Sequence, residues 1–325
     1  MTREFDLSAG LDITNHLCSP EAPARRADTI QVTAFSGKCI GDSLASIRRD
    51  VLRLVTLQVA GQINDIQAWV SDTCSQIQCS GSHIAVLTET RIQTVDKHNH
   101  IINAFKNKGF IAISHNASHP RSKTRMLPAV VDETLCDQEF GPRSAGVILL
   151  VSSKYVSGWS NIHYDLHGRA IAACLDLCDG FTIRIIGVYG VTGASCTNFL
   201  SFPSKVKAEM LLNEFLKQQF KLCEESGYHA VVAGDLNSYQ NPEMDHIGGP
   251  SAIRSDCVTS MLSNHGFQNS FRQRHPSVVA FTFLSGFGGS RLDQIWTKPA
   301  SGLLLVIAGS CIIWRDSFRP LPVCC

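Results

Sequence analysis

The order of the predicted elements along this chain indicates an α/β protein in which strands and helices pack as layers. Two observations support this prediction. Short apolar strands alternate with segments of helical periodicity, and polar side chains follow several strands directly. The 325 residues are 44% hydrophobic and 18% charged, which is enough apolar material to bury a sizeable core. We therefore expect a folded α/β chain and not a disordered one.

The first predicted elements begin after residue 50. Residues 1–50 show no clear periodicity, and we expect them to form a poorly ordered leader. Leu52–Val59 and Ile84–Leu87 predict two strands, and Val95–Lys106 predicts a helix that ends before Gly109. An earlier helix is predicted from apolar residues at helical spacing, namely Ile63, Ile66, Trp69, Val70, Cys74 and Ile77.

The middle of the chain is richer in strands. Ser118–Arg143 is polar and interrupted by prolines, which predicts a long surface loop. The strands predicted after it are Gly146–Val151, Ala170–Leu175, Thr182–Val188 and His229–Ala233. A helix is predicted after Pro203, with an apolar face made of Val206, Met210, Leu211, Phe215 and Leu222.

Charge and cysteine content restrict the cellular setting. The formal net charge is +1, so the chain as a whole has no basic bias towards nucleic acid, although a local patch would suffice. The 13 cysteines contain no Cys-x-x-Cys pair, and the first residues do not resemble a secretory signal. We expect reduced thiols in an intracellular protein of the nucleus or cytoplasm, not a secreted one. The apolar run Gly302–Trp314 is too short to span a membrane and predicts one or two buried strands.

The sharpest chemical signal is the segment Val231–Ser238. A buried apolar strand ends in Gly-Asp-Leu-Asn, which brings Asp235 and Asn237 to its carboxyl end. Residues two apart on an extended chain point to the same side, so a carboxylate and an amide would stand together. Such a pair can polarise a water molecule and hydrogen-bond a phosphate oxygen. The competing interpretation is an ordinary exit turn, because Gly, Asp and Asn all favour turns.

Two further motifs place single carboxylates beside strands. Glu89 follows the strand Ile84–Leu87 and is the kind of oxygen ligand that Mg²⁺ prefers. Asp293 lies in Ser290-Arg-Leu-Asp, inside a strand-like stretch, where a buried carboxylate needs a partner or a metal. The competing interpretation for Glu89 is an ordinary solvent-exposed glutamate. For Asp293 it is an edge strand whose polar residues face solvent.

Taken together, the three motifs resemble the endonuclease/exonuclease/phosphatase superfamily of DNase I-like proteins, over about Leu52 to Trp296. The resemblance implies a four-layer α/β (α+β) sandwich, in which two packed mixed β-sheets are flanked by helices. It also implies a single Mg²⁺ site, with Mn²⁺ as an alternative ion. Arg169 and the segments Phe271–Pro276 and Phe281–Phe283 look like the branch of non-LTR retrotransposon endonucleases. The competing interpretation for those basic and aromatic residues is a solvated face together with core.

The resemblance implies a role for each matching position. Glu89 and Gln58 are expected to hold the metal, and Arg169, Thr282 and Ser290 to bind the substrate. Asp235, Asn237, Asp293 and Tyr189 are expected to be catalytic. The implied partner is nucleic acid, with DNA favoured and no membrane involved, and the sequence leaves the oligomeric state open.

Two departures from the family pattern bear on activity. Gln58 stands where the family has Asn, so the side-chain amide is one methylene longer. The family also has a late Asp-His pair, whereas this sequence has no His after His275. We expect residues 51–310 to form the domain and 311–325 an aberrant or truncated tail, for which a change of reading frame is one hypothesis.

The sequence thus favours a metal-dependent phosphodiester hydrolase that nicks DNA, with weak activity or none. Two alternatives stay open. The first is a catalytically dead relic of such a domain. The second is a member of the same superfamily that acts on RNA or on a phosphorylated small molecule.

Overall fold

The computed structural model describes residues 31–33, 51–59, 63, 65–92, 94–115, 145–154, 156, 158–177, 182–193, 203–247, 257–285, 288–298 and 306–308. The strands are β1 Gln31–Thr33, β2 Val51–Gln58, β3 Ile84–Thr88, β4 Phe110–His115, β5 Val147–Ser152, β6 Ser160–Tyr164, β7 Ala170–Asp176, β8 Thr182–Tyr189, β9 His229–Asp235, β10 His246–Ile247, β11 Gln268–Asn269, β12 Phe283–Ser285, β13 Gly288–Ser290, β14 Asp293–Lys298 and β15 Val306–Ala308. The helices are α1 Ile66–Cys79, α2 Val95–Asn107, α3 Pro203–Ser226, α4 Pro242–Asp245, α5 Val258–Asn264 and α6 Ser270–Arg274.

Within the described residues the strands form two large mixed sheets and one small one. The first large sheet has the order β15-β1-β2-β3-β5-β4, and the second has the order β11-β14-β9-β8-β7-β6. β2 and β3 are parallel, as are β8 and β9, so in each pair the carboxyl ends lie at the same edge of the sheet. β14 runs antiparallel to β9, which brings the beginning of β14 to that edge.

The two sheets pack face to face, because their strands carry apolar side chains on both faces. Val86, Leu149, Ile171, Ile185 and Ile295 lie in the core between the sheets. The outer face of the first sheet packs against α1 and α2, and the outer face of the second packs against α3 and α5. The result is a four-layer sandwich of helices, sheet, sheet and helices, which confirms the predicted fold class.

The helix α3 is longer than its predicted apolar stripe, and the stripe itself was partly wrong. Met210 was predicted to face the core, yet 65% of its surface is exposed. The buried face includes Phe215, as predicted, but its other members are Leu212, Leu216 and Phe220. Periodicity alone left this phase open, because α3 is apolar at several adjacent positions.

Several other predictions can be compared with the described residues. β4, at the edge of the first sheet, was missed because its alternating pattern is short. The predicted loop Ser118–Arg143 lies outside the described residues. Within the predicted leader, Gln31–Thr33 forms a strand between β2 and β15, and β15 overlaps the apolar run that predicted a late strand. None of the helices in the described parts of the chain is long and apolar enough to cross a membrane.

Candidate active site

Three neighbouring strands of the second sheet bring three of the predicted residues together. Tyr189, the last residue of β8, is the register partner of Asp235, the last residue of β9. Asp293, the first residue of β14, is the register partner of Asp235 on its other side. The three side chains are almost completely buried. The parallel and antiparallel pairings of β9 therefore place a phenol and two carboxylates in one row.

The first sheet contributes Gln58 and Glu89 to the same place. Gln58 ends β2, and Glu89 follows β3 directly, so the parallel pairing of β2 and β3 brings both to one edge. The Gln58 amide bridges the two sheets, since its Nε2 donates to Glu89 Oε2 at 3.1 Å and to Asp235 Oδ2 at 3.0 Å. One amide thus links a carboxylate beside the first sheet, Glu89, to a carboxylate of the second sheet, Asp235.

The segment after β3 is held in an uncommon backbone conformation. Glu89 and Arg91 both have positive φ angles, of 57° and 50°. The intervening Thr90 donates its backbone N–H to the carbonyl of Gly146, and Arg91 donates to that of Ala145. The guanidinium of Arg91 also pairs with Glu89 Oε1. Positive φ in residues other than glycine is concentrated at functional sites, where surrounding contacts hold it.

Asn237 closes the loop after β9. Its φ is 47°, and its backbone N–H donates to Asp235 Oδ1 at 2.9 Å. Its side-chain Nδ2 donates to the carbonyl of Gly190 at 3.1 Å. Gly190 in turn donates its N–H to the carbonyl of Asp235 at 2.7 Å. Asn237 therefore orients the Asp235 carboxylate and ties the ends of β8 and β9 together.

The hydroxyl of Thr282 braces the turn that leads to Asp293. It accepts the backbone N–H groups of Leu292 at 2.8 Å and of Asp293 at 3.0 Å. Ser290 points elsewhere, because its Oγ is hydrogen-bonded to His246 Nδ1 at 2.8 Å. Sequence reasoning assigned Thr282 and Ser290 to substrate binding, whereas the contacts of both hydroxyls in the structure are to the protein itself.

Arg169 lies beside the end of β8. Its Nη1 donates to the carbonyls of Tyr189 at 3.4 Å and Gly190 at 3.1 Å, and its guanidinium carbon lies 5.4 Å from the centre of the Tyr189 ring. The loop that carries it is fixed by the buried Asp165, which accepts the N–H groups of His167, Arg169 and Ala170. Arg169 is therefore part of the site, and Asp165 positions it.

The two aspartates are in an electrostatically unfavourable setting. Burial, followed by repulsion from Asp293, holds the pKa of Asp235 well above its usual range. Burial raises the pKa of Asp293 to about 6, against the hydrogen bond from Thr282, which lowers it. Both pKa values are raised for the same reason, since a buried carboxylate without enough positive charge around it favours its protonated form.

Tyr189 is shifted in the same direction for the same reason. Burial raises its pKa to about 12, and the negative charges of Glu89 and Asp235 add to the effect. The phenol is therefore protonated at neutral pH and is able to donate a hydrogen bond. A neutral donor beside carboxylates suits an oxygen atom that gains negative charge.

The donor chemistry of this cluster fits a hard divalent cation. Glu89, Asp235 and Asp293 supply carboxylate oxygens, and the amide of Gln58 can supply a carbonyl oxygen, which are the ligand types that Mg²⁺ and Mn²⁺ accept. Asp293 Oδ1 is buried and has no hydrogen-bond partner among the described residues. In the arrangement that the structure shows, no three His, Cys, Asp or Glu side chains of the described residues are placed to hold a metal ion. The Gln58 amide nitrogen lies between the carboxylates instead.

Solved structures share this arrangement of sheets and helices. An AP endonuclease from Archaeoglobus fulgidus is 16% identical, with a TM-score of 0.51 over 76% of this chain and 86% of that one. AP endonuclease LMAP from Leishmania major is 16% identical, with a TM-score of 0.54 over 75% of this chain and 78% of that one. This chain has the DNase I-like fold. At this identity the likeness establishes the fold alone and leaves the reaction to be argued from the site.

Comparison with curated proteins adds one relative of a different description. The chain is 24% identical over 212 residues to the 2,3-bisphosphoglycerate-independent phosphoglycerate mutase of Methanosphaerula palustris. The aligned region covers 61% of this chain and 46% of that protein. The chain thus spans about half the length of this curated relative. No protein-family profile matches the chain.

Sequence reasoning missed a buried charge cluster that supports the site of this DNase I-like fold. Asp245, at the end of α4, is fully buried and accepts hydrogen bonds from Arg291 Nε at 2.8 Å and Arg272 Nε at 3.1 Å. Arg291 also donates its backbone N–H to the carbonyl of Asp245 at 2.8 Å. The cluster anchors the residues before Asp293. Arg291 was visible inside the Ser-Arg-Leu-Asp motif, but nothing in the sequence pointed to Asp245 as its partner.

Proposed function

We propose that this chain is a metal-dependent phosphodiester hydrolase and that its substrate is DNA, nicked in the manner of a retrotransposon-type endonuclease. The observation that carries the proposal is the row formed by Tyr189, Asp235 and Asp293, which Gln58 joins to Glu89 across the two sheets. Acidic side chains crowded at strand ends, with neutral donors beside them, suit hydrolysis of a phosphate ester.

Each residue has a role that follows from its contacts. Asp235 is the proposed base that orients or deprotonates the attacking water, and Asn237 holds its carboxylate in place through the backbone N–H. Tyr189 donates a hydrogen bond to the phosphate as negative charge builds on it. Arg169, against the Tyr189 ring, supplies positive charge at the same end of β8.

A divalent cation completes the proposed site. Glu89, with the amide of Gln58, would hold it beside Asp235. When bound, the ion supplies positive charge that stabilises the phosphate in the transition state. The crowded carboxylates support this part of the proposal, because a cation would offset the repulsion that holds the pKa of Asp235 high.

The unpartnered oxygen of Asp293 limits the expected rate. Asp293 Oδ1 is buried and has no hydrogen-bond partner among the described residues, so none of those residues is oriented by it towards a phosphate. Loss of one electrostatic partner of the transition state typically lowers the rate by about 10²–10³. We therefore expect weak nicking, and a catalytically dead relic of the domain is the main alternative.

The choice of DNA rests on two supports. The basic and aromatic residues of Phe271–Pro276 resemble those of retrotransposon endonucleases, and two solved structures with TM-scores above 0.5 are named AP endonucleases. The phosphoglycerate mutase relative favours the second candidate, a phosphorylated small molecule. RNA is the third.

The test is nicking of supercoiled plasmid by purified protein in Mg²⁺ or in EDTA. Asp235→Asn removes the proposed base, and Asp96→Asn is the matched control, since it makes the same exchange at an exposed position of α2. Nicking that needs Mg²⁺ and disappears only with Asp235→Asn would support the proposal. Folded protein that never nicks DNA would favour the relic, unless it hydrolyses RNA or releases phosphate from phosphoglycerate.

A further inference from the structure

Both carboxylate oxygens of Glu89 are engaged by donors from within the chain. Gln58 Nε2 donates to Oε2 at 3.1 Å, and the guanidinium of Arg91 pairs with Oε1. Glu89 itself is buried, whereas about 40% of the Arg91 side chain is exposed. The residue proposed to hold the cation therefore already has a donor on each oxygen, one an amide and the other a positive charge.

The Gln58 amide makes the same kind of contact on the other sheet. Its second N–H donates to Asp235 Oδ2 at 3.0 Å, so a single NH₂ group lies between Glu89 and Asp235. Since β2 and β9 belong to different sheets, this one side chain links the two sheets. With its nitrogen towards the carboxylates, Gln58 acts as a hydrogen-bond donor in this arrangement.

Arg91 is held in position to act on Glu89. The positive φ angles of Glu89 and Arg91, and the backbone hydrogen bonds of Thr90 and Arg91 to Gly146 and Ala145, keep the loop folded back on itself. The guanidinium is thereby kept against a carboxylate only two residues away. An exposed cation is free to leave that carboxylate when another positive charge arrives.

From these contacts we propose that Gln58 and Arg91 form an internal donor pair that competes with a divalent cation for Glu89 and Asp235. The inference rests on the proposed function, because the cation belongs to it. In the cation-free protein the donor pair satisfies the carboxylates. Binding of the cation requires the Gln58 amide to turn its oxygen inward and Arg91 to leave Glu89.

Competition of this kind makes a definite prediction about affinity. Removal of either donor should tighten cation binding. Arg91→Gln is the deciding variant, because it adds no ligand, whereas Gln58→Asn also changes a proposed ligand. Arg91→Gln should lower the dissociation constant for Mn²⁺ about fivefold, the scale of a partly exposed ion pair. Gln58→Asn, which keeps the amide and is one methylene shorter, should loosen the bridge between the carboxylates and lower the dissociation constant by about tenfold, since hydrogen bonds to charged groups are stronger.

The first experiment is calorimetric titration of Mn²⁺ into cation-free wild type, Arg91→Gln, Gln58→Asn and Lys221→Gln. Lys221 is the matched control, because it is an exposed cation paired with a carboxylate, Glu225, on α3. Tighter binding in the first two variants and an unchanged constant in the control would support the inference. Equal constants in all four proteins would overturn it and leave the proposed function standing. Binding by none of them, with all four folded, would overturn both.

A second experiment separates release of Arg91 from a general effect of charge. Phenylglyoxal reacts with free guanidinium groups, and the labelled arginines can be mapped by mass spectrometry. Mn²⁺ should accelerate labelling of Arg91 in the wild type. In the Glu89→Gln variant, Arg91 should be labelled rapidly without Mn²⁺. If Mn²⁺ binds but leaves the labelling rate of Arg91 unchanged, Arg91 does not leave Glu89 and the inference is wrong.

Discussion

Asp235 and Asp293 are register partners on the adjacent antiparallel strands β9 and β14, and both are almost completely buried. Their carboxylates therefore repel each other in a part of the protein that water does not reach. Such a pair is costly to stability and is typically retained where a cation or a proton is part of the function. Three of the four predictions below follow from residues that meet at or near this pair.

The first prediction concerns the stability cost of Asp293. Its pKa is raised to about 6 in the folded protein, against 3.8 for an ordinary aspartate, so the folded state binds more protons than the unfolded state between those values. Stability therefore falls as the pH rises through that window. Asp293→Asn should raise the unfolding free energy at pH 8 by about 1–3 kcal/mol in cation-free buffer. Urea unfolding at pH 8 and pH 4 is the measurement.

The gain from Asp293→Asn should vanish at pH 4, where the wild-type carboxyl is already protonated. Asp96→Asn, at an exposed position, should change neither value by more than about 0.5 kcal/mol. An equal gain at both pH values would mean that the charge of Asp293 is not the cause.

The second prediction concerns the empty hydrogen-bonding position of Asp293 Oδ1. If this oxygen is free to orient a proton donor at the site, then free imidazole should bind there and raise the activity. We expect imidazole to raise plasmid nicking by roughly tenfold, a fraction of the loss that a missing electrostatic partner causes. The measurement is nicking rate against imidazole concentration at constant ionic strength. The increase should be absent from Asp235→Asn, and a flat response in the wild type would favour the relic.

The third prediction concerns the close approach of two loops at the site. A Cβ atom added at Gly190 would lie 2.0 Å from the carbonyl oxygen of Leu236, which is backbone and cannot move aside. Gly190→Ala should therefore displace the loop after β9 and destabilise the protein by about 2–4 kcal/mol. Thermal unfolding followed by circular dichroism measures this.

Gly158→Ala is the matched control for Gly190→Ala. A Cβ atom at Gly158 would meet nothing within 4 Å, and Gly158 does not have a positive φ angle. The change should be neutral or should stabilise by about 0.4–1 kcal/mol, since alanine lowers the entropy of the unfolded chain. Similar effects at both glycines would show that the approach to Leu236 is not tight.

The fourth prediction concerns the buried cluster around Asp245. Burial by itself would raise the pKa of Asp245, but hydrogen bonds and charge from Arg291 and Arg272 outweigh it and hold the pKa below its usual range. The contribution to stability is therefore complete above the unfolded pKa and is lost as the pH falls through the folded one. Asp245→Asn should cost about 3–5 kcal/mol at pH 7, because it leaves the buried Arg291 and the partly buried Arg272 without their anion.

Chemical unfolding between pH 7 and pH 3 tests this prediction. The difference between wild type and Asp245→Asn should shrink as the wild-type carboxyl is protonated. Glu243→Gln is the matched control, since Glu243 is exposed on the same short helix α4. A loss as large in Glu243→Gln would assign the effect to α4 in general and not to the arginine cluster.

How far the sequence carries can be judged from individual residues. Asp235 and Asn237 were visible because a buried strand ends in Gly-Asp-Leu-Asn, and Glu89 because a second strand ends in a carboxylate. Both readings depend on local periodicity, which a sequence records directly. The prediction of the buried face of α3 was partly wrong. Met210 and Leu212 are both apolar, and only packing against β9 and its neighbours selects which of them is buried.

Contacts between distant residues lay beyond the sequence. Asp245 and Arg291 are 46 residues apart, and Gln58 and Asp235 are 177 apart. No local pattern encodes such pairs, because each depends on which strands become neighbours. The hydroxyl of Thr282 likewise accepts backbone N–H groups, a role that its own segment does not reveal.

The sequence by itself determined the layered α/β class, the strand-end carboxylates and the departure at Gln58, since these depend on residue type and short-range periodicity. The tertiary structure alone decided that Gln58 lies between Glu89 and Asp235 and that Arg91 occupies the remaining oxygen of Glu89. The physical reason is that hydrogen bonds and charges act over a few ångströms in space. Only the packing of the two sheets sets those distances.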